Sequence, residues 1–268
     1  MRLASLPMYD LPEIRRATRA WWAGLARAFA AAGLDDVPQI LTAPGDRSGH
    51  WRDRRLLISQ ACGRNYVREL AGHVRLVATP CYAAPGCDGP LYSSLLLAGA
   101  DSDPKPTADM SRARVAINGF DSHSGWVALC AAVSAAGAAP DFADIRVTGT
   151  HAASMAAVRR GEADLCAVDC VTFALLERHA PQRVAGLKFM GRTPAAPGLP
   201  YITSAGTGPG ELSRLRDGLS RALEAPDLAS VRDSLFIERC EVLADSAYDR
   251  VRDMAREIDR AGGPGAGS

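Results

Sequence analysis

Apolar residues in this chain alternate between short continuous runs and longer stretches at helical spacing, with Gly, Pro and small polar residues between them. The first run, residues 2–6, predicts a strand ending in the loop Pro7-Met8-Tyr9-Asp10. Pro12 then opens a helix whose positions Ile14, Trp21, Leu25 and Phe29 share a face, ending near Gly33. Trp21 and Trp22 read as core. Strands are predicted over 37–41, over 56–59 and over 73–80, with Trp51 in a short basic segment and a short helix over 66–70. A Pro- and Gly-rich loop leads to a strand over 91–99, and 101–106 reads as a polar linker.

The second half repeats the alternation. Val115, Ala116 and Ile117 form a buried strand, Asn118 and Gly119 break it, and Ser122-His123-Ser124-Gly125 opens a helix. A helix start leaves backbone N–H groups without internal partners and carries the positive end of the dipole, so it can seat an anion. Two hydroxyls and a glycine add donors and close access to the backbone; an ordinary Ser N-cap is the simpler reading of the same residues. Further on, the pattern predicts a strand over 144–148, a helix over 151–160, a continuous apolar strand running to Asp169, a helix over 170–178 and a strand over 187–193. A rigid turn at 197–200 precedes a strand over 201–204, then helices over 210–223 and 245–261 and a Gly-rich tail.

This order predicts a layered α/β fold with ligands at the strand ends. One strand, 91–97, enters the middle of the chain and another, 199–204, leaves it. The middle therefore reads as an insertion, giving two lobes: residues 1–90 with 199–268, and residues 91–198. Such a double crossover is a hinge.

A length of 268 residues is enough for one large domain or two lobes. A formal net charge of +1 removes any general electrostatic case for nucleic acid or an acidic membrane. The seven cysteines form no CxxC pair and no metal-ligand spacing, so neither a metal nor another cofactor is expected. Cys130, Cys166 and Cys170 lie in apolar runs as small buried hydrophobes, while a bridge among Cys62, Cys81 and Cys87 stays open. No apolar stretch is long enough to span a membrane, and residues 1–13 carry no apolar signal core. The expectation is a cytoplasmic protein with reduced thiols if the chain is complete, and a periplasmic one if it is a mature or truncated form.

Five segments in order, LLISQACG, YSSLLLAGADS, AINGFDSHSG, GTHAASMAAVRRGEADLCAVDCVTFALL and PGLPYITS, resemble the phosphate/phosphonate-type substrate-binding proteins of ABC transporters, the PhnD-like group of the type II periplasmic-binding-protein fold. The resemblance covers about Leu3 to Ser204. It implies a two-lobed clamshell, each lobe a mixed sheet flanked by helices, that captures a phosphate, phosphite or phosphonate in the cleft for ABC-type transport. It implies a monomer that catalyses nothing and a transporter permease as partner. By position, Ser122, His123, Ser124 and Gly125 match the turn that holds phosphoryl oxygens, Tyr92 a hinge-strand tyrosine, and His151 a histidine at the next helix start. Asp169 matches an acid that accepts from a ligand amine or hydroxyl, and Tyr9 and Gln60 line the other lobe. Tyr92 also fits a packed core residue, and His151 and Asp169 also fit helix caps. Where the family has an aromatic residue and a proline after the Cys-Gly of the third strand's loop, this chain has Arg64-Asn65.

Two other readings keep the fold. One is a cytoplasmic ligand sensor that reports to a partner protein. The other is an enzyme, resembling a thiamine-pyrimidine synthase or a hydrolase using Cys62 with a histidine, which needs a thiol of lowered pKa and a base within reach.

Overall fold

The structure, a computed structural model, describes residues 1–102 and 107–260. Most of the expected linker, from 103 to 106, and the Gly-rich tail lie outside the described residues. The strands are β1 (Leu3–Ser5), β2 (Leu56–Gln60), β3 (Val74–Tyr82), β4 (Cys87–Asp88), β5 (Leu91–Tyr92), β6 (Ser94–Gly99), β7 (Arg114–Ile117), β8 (Asp144–Val147), β9 (Leu165–Asp169), β10 (Leu187–Arg192), β11 (Ala196–Pro197), β12 (Tyr201–Ser204) and β13 (Ile237–Glu241). The helices are α1 (Arg15–Ala31), α2 (Arg47–Trp51), α3 (Gly63–Arg68), α4 (Ala128–Ala135), α5 (His151–Arg159), α6 (Cys170–His179), α7 (Pro209–Glu224), α8 (Ala229–Ser234) and α9 (Asp249–Arg260). Among the described residues no helix is long and apolar enough to cross a membrane.

The chain divides into two compact units, Met1–Ala83 with Pro197–Tyr248, and Ala84–Ala196 with the segment from Asp249 onward. In the first, the strand order is β1-β2-β12-β3-β13. β1 and β2 run parallel, and β12 is antiparallel to both β2 and β3. Every residue of β2 is buried, the apolar Leu56, Leu57 and Ile58 and then the polar Ser59 and Gln60. Trp21, Trp22, Leu25 and Phe29 pack the inner face of α1.

In the second unit the order is β10-β6-β9-β7-β8. β7, β8 and β9 are parallel, while β6 is antiparallel to β9 with Ser94 opposite Asp169. The carboxyl ends of three strands and the amino end of a fourth therefore share one edge of the sheet. The chain turns back from that edge into helices, as an α/β sheet requires.

The structure departs from the sequence expectations in three places. Residues 37–41 form no strand: Pro38 removes a ladder donor and the Ile40 side chain is exposed, leaving Thr42 N–H to donate to the Ala4 carbonyl at 2.7 Å. The strand expected over 91–99 breaks at Ser93, whose N–H donates to Gly86 O at 3.0 Å and not to a sheet partner. The division into units also differs from the expected one. Helix α9 belongs with the second unit, where it buries Val251, Met254, Ala255 and Ile258 and packs on α4, and the segment from Ala84 onward belongs there too.

Candidate functional site

The edge of the second sheet carries most of the sequence-predicted residues. After β7, Ser122 N–H donates to Gly119 O at 3.2 Å, which closes the turn and leaves Ser122 extended at φ −79° and ψ 129°. In that conformation its hydroxyl caps the following helix, accepting from Gly125 N–H at 3.0 Å. The helix opens with one turn of π-helix, His123–Val127, in which Val127 N–H donates to Ser122 O at 3.3 Å. Such wide turns cluster at functional sites because they shift side chains out of α register. Ser122, His123 and Ser124 are all buried.

Ser124 is held at both ends. Its hydroxyl lies 2.8 Å from Nε2 of His151, and its carbonyl accepts from the Ser94 hydroxyl at 2.9 Å. His151 is the first residue of α5, whose cap is Thr150, accepting from Ala153 N–H at 3.1 Å. Thr148 ties this helix start to β7 by donating to Ile117 O at 2.9 Å and meeting the Ser154 hydroxyl at 2.7 Å. Asp169, at the end of β9, is 2 % exposed and caps α6, its Oδ1 accepting from Thr172 N–H at 2.9 Å. The Tyr92 ring stands 6.2 Å from the His123 ring at 48°. Three helix starts thus meet at one edge of the sheet with serine, threonine and histidine groups around them.

Gly125 is required here by space. A Cβ at 125 would overlap Asn118 Oδ1 and come within 3.4 Å of Ser122 Oγ. Asn118 and Ser94 belong to the site and were not singled out by the sequence. Two adjacent serines ahead of an apolar run, and an amide directly after a strand, were the only signals they gave.

The remaining two predicted residues sit in the first unit. Tyr9 packs edge-on against Tyr82 with ring centroids 5.4 Å apart. Gln60 Nε2 donates to Tyr82 OH and to Leu199 O, each at 3.1 Å, so both amide hydrogens are committed and hold Tyr82 in place. Arg64 and Asn65, where the chain departs from the resembling family, are buried at the start of α3.

The donors of the second unit's site are dipoles and neutral groups, with the Asp169 carboxylate at the same sheet edge. Burial of its ring nitrogens pushes His151 down to about 4, partly offset by the Ala167 carbonyl, so the imidazole is neutral at pH 7. The unfolded chain then takes up the proton first as pH falls. Stability linked to His151 is complete above about 6.5 and is lost between about 6.5 and 4. Between pH 7 and 4.5 the wild type should lose more thermal stability than His151→Gln; parallel curves would show that the histidine is not held neutral. Burial pushes the Cys81 thiol up to about 12 and raises Cys166 and Cys240 further, so these three are poor nucleophiles. Among the described residues no group of His, Cys, Asp and Glu is arranged to hold a metal ion.

Solved structures share this fold. A binding protein component of an ABC phosphonate transporter from Pseudomonas aeruginosa matches at TM-score 0.78 and 17 % identity, covering 97 % of this chain and 87 % of that one. PhnD1 from Prochlorococcus marinus, solved with methylphosphonate, matches at 0.75 and 14 %, covering 96 % and 98 %. XAC2383 from Xanthomonas citri, solved bound to ATP, matches at 0.70 and 18 %, covering 97 % and 98 %. No protein of curated function matches the sequence. Residues 64–248, more than half the chain, match the family model described as ABC transporter, phosphonate, periplasmic substrate-binding protein. The chain belongs to that family of substrate-binding proteins and has the periplasmic-binding-protein fold.

Proposed function

We propose that the chain binds a small phosphonate, or a phosphorus oxyanion of similar size, at the Ser122 to Gly125 turn, and releases it unchanged to an ABC permease. The observation that carries this reading is the set of neutral polar groups at the helix starts, with the buried Ser122 and Ser124 on one turn and the half-buried His151 opposite. A tetrahedral anion needs several donors converging from different directions, and backbone dipoles supply its countercharge without a buried cation. Neutral donors also let the ligand leave, because no buried ion pair must be broken on release.

Asp169 adds selectivity. A buried carboxylate repels a fully ionised phosphoryl group and favours a ligand that brings a hydroxyl, a protonated oxygen or an amine toward it. Tyr92 walls the site beside His123. The protein acts as a monomer, needs no cofactor and performs no bond-breaking step on its ligand: the Ser124 hydroxyl and His151 Nε2 are 2.8 Å apart and fix one another.

A melting assay with phosphate, phosphite, methylphosphonate, aminoethylphosphonate, ATP and sulfate tests the reading. Ligand at 100 times its Kd should stabilise the fold by about 2.7 kcal/mol. A shift with at least one small phosphorus compound, and none with sulfate, is expected. A shift with ATP alone would replace the small phosphonate by a nucleotide, and no shift at all would remove the proposal. If Asp169 reads the ligand, Asp169→Asn should reorder the panel, and an unchanged order would assign the residue to capping α6 alone.

A further inference from the structure

Two cysteines that the ligand reading does not use lie against each other in the second unit. Cys87, on β4, and Cys170, the first residue of α6, are separated by 83 positions in sequence, and their sulfurs are 3.5 Å apart. Cys170 is fully buried and Cys87 partly exposed, both as free thiols. The backbone around them is built for close approach. Gly86 has φ +114°, and a Cβ there would stand 2.9 Å from Cys170 Cβ and 3.2 Å from its sulfur. Gly86 O accepts from both the N–H and the hydroxyl of Ser93 at 3.0 Å, and Ser93 O accepts from Cys170 N–H at 3.1 Å. The turn is therefore already hydrogen-bonded onto the start of α6.

Each cysteine also adjoins a candidate ligand residue. Cys87 pairs across the hairpin with Tyr92, which stands beside His123, and Cys170 follows Asp169 directly. We propose that Cys87 and Cys170 are a reversible thiol–disulfide modification site, whose oxidation by a small-molecule or protein disulfide locks the Tyr92 hairpin onto α6. Bonding requires the sulfurs to close from 3.5 Å to about 2.05 Å.

The exchange has a defined order. Cys87, the accessible thiol, attacks one sulfur of the oxidant RSSR as its thiolate, forming a Cys87–S–S–R mixed disulfide and expelling RS⁻. The Cys170 thiolate then attacks the Cys87 sulfur and expels the second RS⁻. The two thiol protons end on the two RS⁻ groups, and two electrons pass from the protein to the oxidant. Cys87 is the more exposed of the two and so meets the oxidant first, and the Cys170 sulfur beside it is placed to resolve the mixed disulfide.

The experiment treats the intact protein with oxidised glutathione, alkylates the remaining thiols and maps the peptides by mass spectrometry. A linked Cys87–Cys170 pair that dithiothreitol reverses is expected, with amide exchange over residues 84–93 slowed about tenfold in the oxidised form. Stable glutathionylation of Cys87 without the internal bond, or a bond formed with unchanged exchange, would overturn the proposal. Cys87→Ser should abolish both effects; persistence of the slowed exchange in that variant would also overturn it. The consequence for ligand rests on the phosphonate reading: methylphosphonate affinity should differ at least about threefold between the two forms. Since bond mapping and exchange need no ligand, their failure is distinguishable from failure of that reading.

Discussion

Gly125→Ala is expected to lower affinity for a bound phosphonate about thirtyfold and the melting temperature by several degrees. The residue has no unusual backbone angle to protect, so the effect comes from space alone. A methyl group there would overlap Asn118 Oδ1 and stand 3.0 Å from its Cγ. Two responses are open. Asn118 swings away and vacates a packed polar position, or the turn opens and parts Gly125 N–H from the Ser122 hydroxyl. Overpacking of this kind costs about 1–3 kcal/mol, and about 2 kcal/mol taken from binding is about thirtyfold. Calorimetric titration of wild type and variant, beside a thermal scan of each without ligand, separates the two losses. A variant that binds and melts as the wild type does would show that the turn relaxes freely and that the glycine has no role in the site.

The parts legible in the sequence are those where one local rule decides. β9 could be read from Leu165 to Asp169 because a strand covered on both faces needs an unbroken apolar run, and all five of its residues are buried. The Ser122 and Asp169 caps were legible because a hydroxyl or carboxylate directly before a helix has few other uses. What the sequence hid depends on neighbours distant along the chain. β13, IERCE, has neither an apolar run nor a strict alternation, and is a strand only because β3 offers its edge, with Ile237 opposite Tyr82. Residues 37–41 include the strand formers Val37 and Ile40, yet Pro38, which cannot donate to a ladder, outweighs propensity. The helix over α9 was legible, but not the unit that covers its buried face, since periodicity names no partner. The π-turn after Ser122 and the contact between Cys87 and Cys170 are likewise tertiary facts with no sequence period.

The site itself was legible as residue types and not as a geometry, and the double variant Ser122→Ala, Ser124→Ala tests the geometry. Each hydroxyl has a structural partner as well as a proposed ligand: Ser122 caps Gly125 N–H, and Ser124 meets His151 Nε2. Loss of the cap costs about 1 kcal/mol of stability, and a His151 nitrogen left without Ser124 costs about as much again. The protein should remain folded with a lower melting point. Binding should suffer more, because a hydrogen bond to a charged group contributes about 1.5–3 kcal/mol and two are removed together. A loss of at least about 3 kcal/mol is more than a hundredfold in Kd. Ser122→Thr, which keeps a capping hydroxyl, should recover most of the stability and part of the affinity. Those variants, compared by circular dichroism for the fold and by titration with whichever phosphorus compound stabilises the wild type, give a direct reading. A folded double variant with wild-type affinity would place the ligand away from this helix start.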